Sequence, residues 1–210
     1  MNYIELMIER YPMLKKCRES IEKAIDTLIK TFENDGTLLV CGNGGSCSDA
    51  EHIVGELMKG FYKKRSLCSD QKQALIDAGG ILGKRLAESL QQPLKTISLM
   101  GMPALTTAFV NDSHYMYSCA QMTLAYACKN STLLGISTSG NAENVLAAAV
   151  VAKSKGAYTI GLTGANGGDM NDLYDIVIKV PEYDTYKIQE LHLPVYHTIC
   201  LMLENHFFDS

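Results

Sequence analysis

The sequence predicts an α/β fold in which five parallel strands form one central sheet between two layers of helices, a three-layer sandwich. Short apolar segments alternate along the chain with segments of helical periodicity, which is typical of repeated βα units. Turns rich in Gly, Ser and Asn follow several of the apolar segments, as expected where a strand passes into a helix. The 210 residues are 47% hydrophobic and 20% charged, which is ordinary usage for a single globular domain over residues 1–210.

A long N-terminal helix is the first predicted element. Its apolar side chains recur at helical spacing, and we assign it to residues 3–34. The residues on its apolar face are Leu14, Ile21, Ile25, Leu28, Ile29 and Phe32. The sequence Asn34-Asp35-Gly36 is a stop signal that ends the helix.

Five strands are predicted from short apolar runs. They are TLLVCG (37–42), KTISLMG (95–101), STLLGIS (131–137), AYTIGLTG (157–164) and DIVIKVP (175–181). Helical segments are predicted between them at 48–61, 104–109, 114–129 and 141–155, and a last amphipathic helix is predicted at 185–208. Strands that alternate with helices indicate a parallel sheet covered on both faces.

Residues 62–94 do not fit this alternation. We interpret them as a helical insertion of one or two helices, broken at Gly79 and Gly80. Two kinds of role are open for the insertion. It is either a surface excursion, or a functional element that covers the site or forms a subunit contact. The basic cluster at Lys63, Lys64 and Arg65 is typical of a solvated loop.

Charge and cysteine content exclude several classes of function. The net charge of −4 argues against nucleic-acid binding. The seven cysteines are an odd number without a C-x-x-C pair, which argues against a disulfide framework and a cysteine zinc site. No signal-peptide core or membrane-length apolar run occurs, so we expect a cytoplasmic protein without a membrane partner.

Three polar loops follow predicted strands. We call them the glycine loop (residues 42–46), the hydroxyl loop (137–141) and the third loop (163–168). In an open parallel sheet, ligands bind beyond the carboxyl ends of the strands. The hydroxyl loop, STSGN, precedes a helix, whose free backbone N–H groups and partial positive charge favour a phosphate. A helix cap with a turn is the alternative reading of that loop.

A nucleotide cofactor is not expected. The dinucleotide fingerprint G-x-G-x-x-G would need glycine at position 47, which is Cys47, and the acidic residue expected about 20 positions later is absent. No G-K-[ST] follows the glycine loop, so a Walker phosphate loop is excluded as well.

Two ionisable pairs stand out. His52 and Glu56 are spaced i, i+4 on the helix after the glycine loop, and Gln189 and His197 share about one face of the last helix. Together they could ligate a divalent metal or supply a general acid and base, and spacing leaves both open. We place His192 and His206 outside this set, whereas His114 could bear on the site, although the sequence identifies no partner for it.

The order of these motifs resembles the phosphoheptose isomerase family, within the sugar isomerase (SIS) domain group, whose sheet is flavodoxin-like. The resemblance rests on CGNGGSCSDAEHIVGEL, FVND, LLGISTSGNAENV, LTGANGGDM and KIQELHLPVYH, and covers nearly the whole chain except 62–94. It implies an isomerase of sedoheptulose 7-phosphate that works through an enediol. It also implies a homotetramer with active sites between subunits.

The resemblance also assigns roles to individual residues. It implies Glu56 as base and His197 as acid, with zinc, where present, held by His52, Glu56, Gln189 and His197. The implied substrate-binding residues are Asn43, Gly44, Gly45, Ser46, Asn111, Asp112, Ser137, Thr138, Ser139 and Gln189. An enediol route needs a base beside one carbon and an acid beside the oxygens, and a carboxylate with an imidazole meets that need.

Three departures from the family pattern bear on the substrate. Ala142 stands where the family usually has a further serine, Pro194 lies inside the last helix, where we expect a kink, and the insertion is longer than in the common enterobacterial form. Two alternatives therefore accompany the leading hypothesis: an isomerase of another sugar phosphate, and a non-catalytic sugar-phosphate sensor. The chain has no helix-turn-helix or basic face, which argues against a DNA-binding regulator.

Overall fold

The central layer is a single parallel sheet of five strands. The computed structural model describes residues 2–208, and its strands are β1 (Leu38–Gly42), β2 (Thr96–Ser98), β3 (Thr132–Ile136), β4 (Tyr158–Thr163) and β5 (Ile176–Lys179). Their order is β2-β1-β3-β4-β5, and Leu38 is in register with Thr96 on one side and Thr132 on the other. This is the flavodoxin-like order, so the predicted fold class is confirmed.

Helices connect the strands and cover the sheet. They are α1 (Tyr3–Arg10), α2 (Arg18–Glu33), α3 (Gly45–Met58), α4 (Ser69–Ser89), α5 (Pro103–Asp112), α6 (Ser118–Tyr126), α7 (Glu143–Ser154), α8 (Met170–Leu173) and α9 (Thr185–Phe208). Among residues 2–208, no helix is both long enough and apolar enough to cross a membrane.

The core is divided by the sheet into two clusters. Side chains alternate along β1, so that Leu38 and Val40 pack with α1, α2, α3 and α9, whereas Leu39 and Cys41 pack with α6, α7 and α8. All five residues of β1 are buried. This two-sided burial explains why the strands read as continuous apolar runs instead of alternating ones.

The predicted N-terminal helix over 3–34 is wrong as a single element. α1 ends at Arg10, a 3₁₀ helix occupies Pro12–Cys17, and α2 begins at Arg18. Tyr11 has φ −131° and ψ 73°, outside the helical region. Proline disfavours the helical conformation in the residue before it, so Pro12 breaks the helix at Tyr11.

The segment 62–94 is mostly helical. α4 carries a break at Gly80, whose φ of 52° and ψ of −119° are non-helical, at the position predicted from the Gly79-Gly80 pair. A Cβ atom at Gly83 would lie 1.9 Å from the Leu75 carbonyl oxygen. The two halves of α4 therefore fold back on each other at a distance that only glycine permits.

The last helix runs through its proline. α9 is continuous from Thr185 to Phe208 although Pro194 lies inside it. The Thr198 hydroxyl donates to the Pro194 carbonyl at 2.8 Å. Gln189 and His197 are consequently held on one uninterrupted element.

Candidate functional site

The glycine loop turns sharply from β1 into α3. Gly44 has φ 55° and ψ −119°, a conformation open to glycine, and α3 begins at the next residue. A Cβ atom at Gly45 would lie 2.6 Å from Gln189 Nε2, so the bare glycine backbone lets the Gln189 amide from α9 reach the start of α3. The structure thus brings Gly45 and Gln189 together, although they are far apart in sequence.

His52 and Glu56 lie side by side on α3, as their spacing predicts. His52 Nε2 is 3.2 Å from Glu56 Oε1, and Lys59 Nζ is 3.4 Å from Glu56 Oε2. The Glu56 side chain is only 14% exposed, whereas His52 is 42% exposed. The carboxylate therefore lies partly shielded from solvent, with a cationic or hydrogen-bonding partner at each oxygen.

His197 of α9 lies against this pair. Its ring centroid is 5.0 Å from that of His52 and 5.2 Å from that of Phe61. Its Nε2 is buried and has no hydrogen-bond partner among the described residues. Burial lowers the pKa of His197, as does the neighbouring His52, while Glu56 acts in the opposite direction. The ring is therefore neutral at neutral pH, with one nitrogen unengaged.

Tyr196 and Asp49 extend the arrangement, and neither was singled out from the sequence. Tyr196 Oη lies 3.0 Å from His52 Nδ1 and donates to Asp49 Oδ1 at 3.2 Å. Burial raises the pKa of Asp49, and the hydrogen bond from Tyr196 offsets part of that effect. We call Asp49, His52, Glu56, Tyr196 and His197 the α3–α9 cluster.

A metal site is not preassembled within the α3–α9 cluster. Over the part of the chain that the structure describes, no three His, Cys, Asp or Glu side chains are grouped so as to hold a metal ion. Both nitrogens of His52 already have partners in Tyr196 and Glu56. The predicted zinc ligand set of His52, Glu56, Gln189 and His197 stays a prediction.

The hydroxyl loop lies at the start of α7. Ser137 is buried, Thr138 is partly buried and Ser139 is exposed. Ser139 Oγ accepts from the Asn141 backbone at 3.2 Å, and Gly140 has φ 72°. Ala142 is the N-cap of α7 and provides no side-chain hydrogen bond. The first N–H groups of α7 therefore lack a side-chain cap and remain available to an anion.

Asn144 joins the hydroxyl-loop helix to the glycine loop. Its amide and that of Asn43 exchange two hydrogen bonds of 2.8 Å each. The sequence did not identify Asn144, because its partner is 101 residues away. The two loops are thereby fixed relative to each other across the β1–β3 boundary.

The third loop supports the hydroxyl loop. A Cβ atom at Gly140 would lie 2.0 Å from the Gly167 carbonyl oxygen, and Asp169 N donates to Asn141 Oδ1 at 2.8 Å. Met170 N donates to the Gly140 carbonyl at 3.2 Å. The polar composition of the third loop is thus accounted for by close backbone packing.

Asn111 and Asp112 lie at the end of α5, where both are exposed. Asn111 Nδ2 donates to Asp112 Oδ1 at 2.7 Å. Their predicted part in substrate binding stays a prediction.

Arg65 corrects the solvated-loop interpretation of the basic cluster. Its side chain is fully buried, with Nε donating to Glu204 Oε1 at 2.9 Å and Nη1 donating to the Leu57 carbonyl at 2.7 Å. Burial works to raise the pKa of Glu204, but hydrogen bonds from the backbone of Phe61 and Tyr62 and from Arg65 lower it overall. This ion pair joins the end of α3 to α9.

The remaining histidines have contacts outside the α3–α9 cluster. His192 is fully buried, and burial lowers its pKa to about 4, although the Thr163 backbone favours the charged form. His114 stacks on Tyr117 with ring centroids 4.1 Å apart, and His206 Nε2 is 3.2 Å from Glu33 Oε1.

Known proteins match this chain along nearly its whole length. Two profiles of the SIS domain match residues 2–72 and 97–204. The phosphoheptose isomerase of Helicobacter pylori (strain Shi470) is 37% identical over 198 residues, which cover 92% of this chain and 90% of that protein.

Solved structures agree with the sequence matches. A phosphoheptose isomerase from Francisella tularensis superposes with a TM-score of 0.73 at 28% identity, over 97% of this chain and 95% of that one. The phosphoheptose isomerase from Neisseria gonorrhoeae gives a TM-score of 0.69 at 25% identity, over 95% and 98% of the two chains.

Proposed function

Since this chain belongs to the SIS domain family and to its phosphoheptose isomerase branch, we propose that it is an aldose–ketose isomerase of a sugar phosphate, sedoheptulose 7-phosphate first among candidates. One observation carries the proposal. Glu56 and His197 come from distant parts of the chain, and each lies against His52, at 3.2 Å between side-chain atoms and 5.0 Å between ring centroids, respectively.

The phosphate binds at the hydroxyl loop in this proposal. The Ser137, Thr138 and Ser139 hydroxyls and the uncapped N–H groups of α7 offer several hydrogen-bond donors, and the helix dipole favours the anion. The sugar then extends toward the glycine loop, which the Asn43–Asn144 amide pair holds in place.

Glu56 removes the proton from the carbon next to the carbonyl, and returns it to the neighbouring carbon. The partly shielded position of its carboxylate limits competition from water. His197, which is neutral, forms hydrogen bonds with the sugar oxygens through the otherwise unpartnered Nε2 and moves a proton between them. The net reaction only relocates hydrogen within the substrate.

An isomerase assay on purified variants tests the assignment. Glu56→Gln and His197→Asn are each expected to lower kcat by about 10²–10⁴-fold, the usual contribution of a general acid or base. Glu51→Gln on the exposed face of α3 and His206→Asn near the end of α9 are the matched controls, with unchanged rates. Wild-type turnover in either active-site variant would overturn the roles proposed here.

An isomerase of a different sugar phosphate is the second candidate, favoured by the missing side-chain cap at Ala142. A panel of ketose phosphates of five to seven carbons separates the two by kcat/KM. A non-catalytic sensor is the third candidate, and it predicts ligand-induced thermal stabilisation without turnover of any member of the panel.

Zinc, a homotetramer and a cytoplasmic location stay predictions. An apolar groove of about 570 Å³ on α5, α6 and α7 supports self-association, since its exposed side chains include Leu124 and Val150. Light scattering tests the tetramer, with Leu124→Glu expected to dissociate it.

Metal analysis of the purified protein tests zinc, with His52→Asn and Gln189→Leu expected to abolish any stoichiometric binding.

A further inference from the structure

A pocket of about 480 Å³ opens on the surface of the insertion, and we call it the insertion pocket. Its lining residues come from both halves of α4 and from the segments before and after that helix. They include three lysines, Lys64, Lys72 and Lys84, and one acidic residue, Glu88. Three positive charges against one negative charge leave the pocket at a formal +2, in a chain whose net charge is −4.

The three lysines of the insertion pocket lack partners of opposite charge. Over residues 2–208, none of them forms an ion pair or a side-chain hydrogen bond. Lys84 and Glu88 have the i, i+4 spacing of a helical pair, but in the weaker order, with the cation first. Glu19 and Lys23 have the same spacing in the stronger order and do pair, at 2.7 Å. The ammonium groups of the pocket are therefore available to an anion from solution.

The walls of the pocket are held in place by contacts of the insertion. Gly83 lies so close to Leu75 that a Cβ atom on it would be 1.9 Å from the Leu75 carbonyl oxygen, which fixes one half of α4 against the other. Ser66 and Gln91 form an antiparallel bridge, and Gln91 Oε1 accepts from Gly60 N at 2.8 Å. The lysines thus extend from backbone segments whose relative positions are fixed, which lowers the entropy lost when a ligand binds.

The lining of the pocket indicates the class of ligand. Lysine ammonium groups are compact point charges that suit phosphate, and the volume lies in the range of about 300–1,000 Å³ that is usual for small-molecule sites. Ile76 and the buried Ala87 provide an apolar part. None of the described residues that line the pocket is aromatic, so a nucleobase would have no ring to stack on. A small phosphorylated organic molecule fits better than a nucleotide.

We propose that the insertion pocket is a second anion-binding site, for a small organic phosphate with two or more negative charges. The site shares no residue with the α3–α9 cluster or the hydroxyl loop, so the inference does not rest on the proposed function. It assigns a ligand to the insertion, which makes that segment a functional element and not only a surface excursion.

Pyridoxal 5′-phosphate is a probe that locates the site. Its phosphate group is the anion, and its aldehyde condenses with a neighbouring unprotonated lysine amine with loss of water. Borohydride then reduces the imine to a stable amine, and peptide mapping identifies the labelled lysine. At an equimolar ratio we expect the label mainly on Lys64, Lys72 and Lys84, and we expect an excess of inorganic pyrophosphate to prevent it. The hydroxyl loop contains no lysine, so an anion bound there is not mistaken for one in the insertion pocket.

Calorimetric titration of the full chain with pyrophosphate provides the second readout. Lys72→Gln and Lys84→Gln are each expected to weaken binding about tenfold, the usual loss when one charged hydrogen-bond donor is removed. Glu88→Gln is expected to tighten binding about threefold, because it removes the negative charge beside the anion. Lys155→Gln, at an exposed lysine just beyond α7, is the matched control and should leave the affinity unchanged.

Label that is spread evenly over the exposed lysines, or that pyrophosphate does not prevent, would overturn the inference. Equal affinities of the wild type, Lys72→Gln and Lys84→Gln would do the same, because the anion would then bind elsewhere, as at the hydroxyl loop. A complete lack of label on the three lysines would show that the pocket is covered, as by a second copy of the chain, and would also contradict it. Each readout is a binding measurement, so the result does not depend on whether the protein isomerises any sugar.

Discussion

The α3–α9 cluster and the hydroxyl loop, the two halves of the candidate site, are built in opposite ways. The cluster joins side chains as far as 147 residues apart, and it exists only because α3 packs on α9. The hydroxyl loop is a short contiguous run whose donors are hydroxyls and the backbone start of α7. The half proposed for proton transfer therefore depends on tertiary packing, whereas the half proposed for anion binding is largely local.

The largest expected effect comes from breaking the ion pair that joins α3 to α9. Glu204→Gln leaves the buried Arg65 charge without its counter-ion, and we expect a loss of about 3–5 kcal/mol in the free energy of unfolding, measured in urea. Glu33→Gln, which removes an exposed partner of His206, is the control and should cost less than about 1 kcal/mol. A small effect of Glu204→Gln would show that the packing of α3 on α9 does not need this pair.

Low pH is also expected to destabilise the protein, through His192 on α9. The pKa of its buried ring is about 4, against about 6.5 for an unfolded histidine, so between these values the unfolded chain binds the extra proton. The contribution of neutral His192 to the free energy of unfolding is then fully present above about pH 6.5. It decreases as the pH is lowered, by up to about 3 kcal/mol near pH 4.

His192→Leu is expected to remove this part of the acid sensitivity. Thermal melting between pH 7 and pH 4 measures it, with His114→Leu, on an exposed ring, as the control. Equal acid sensitivity of His192→Leu and the wild type would contradict the assignment.

Asn144→Ala tests whether the two halves are coupled. It removes both 2.8 Å hydrogen bonds to Asn43, each worth about 1 kcal/mol. We expect kcat/KM for the sugar phosphate to fall about tenfold, while inorganic phosphate still binds. Asn166→Ala in the third loop is the comparison variant, because its side chain is exposed. A proportional loss of phosphate binding would mean that Asn144 serves the anion and not the connection between the loops.

The smallest effect is expected within the hydroxyl loop. Ala142→Ser adds a capping hydroxyl to α7, and we expect a gain of about 1 kcal/mol in stability. Ser154→Ala at the far end of α7 controls for hydroxyl content. Unfolding curves measure the effect, and a decrease in stability would contradict a vacant cap.

The features that the sequence predicted well are local ones, as in the comparison of the hydroxyl loop with the α3–α9 cluster. All five strands lie within their predicted segments, because each is a short run buried on both faces. The hydroxyl loop was found from its composition, and the His52–Glu56 contact from its i, i+4 spacing. Each of these features is set by residues that are near one another in the chain.

Features that depend on distant partners were missed or misread. Arg65 looks solvated until Glu204, 139 residues later, is placed beside it. Tyr196 is an ordinary core aromatic by pattern, and the contact of its hydroxyl with His52, 144 residues away, cannot be predicted from local sequence. The break at Tyr11 is an exception, because Pro12 was a local signal that the apolar periodicity of residues 13–34 outweighed.

Because α9 lies late in the chain, the α3–α9 cluster can form only late in the synthesis of the protein. Residues His52 and Tyr196 are separated by 144 positions, which a ribosome translates in about 7 to 30 s at ordinary rates. Throughout that interval the α3–α9 cluster is incomplete, because Tyr196 and His197 have not yet been added to the chain. A nascent chain is thus expected to be inactive, and accessible to chaperones, until α9 packs against α3.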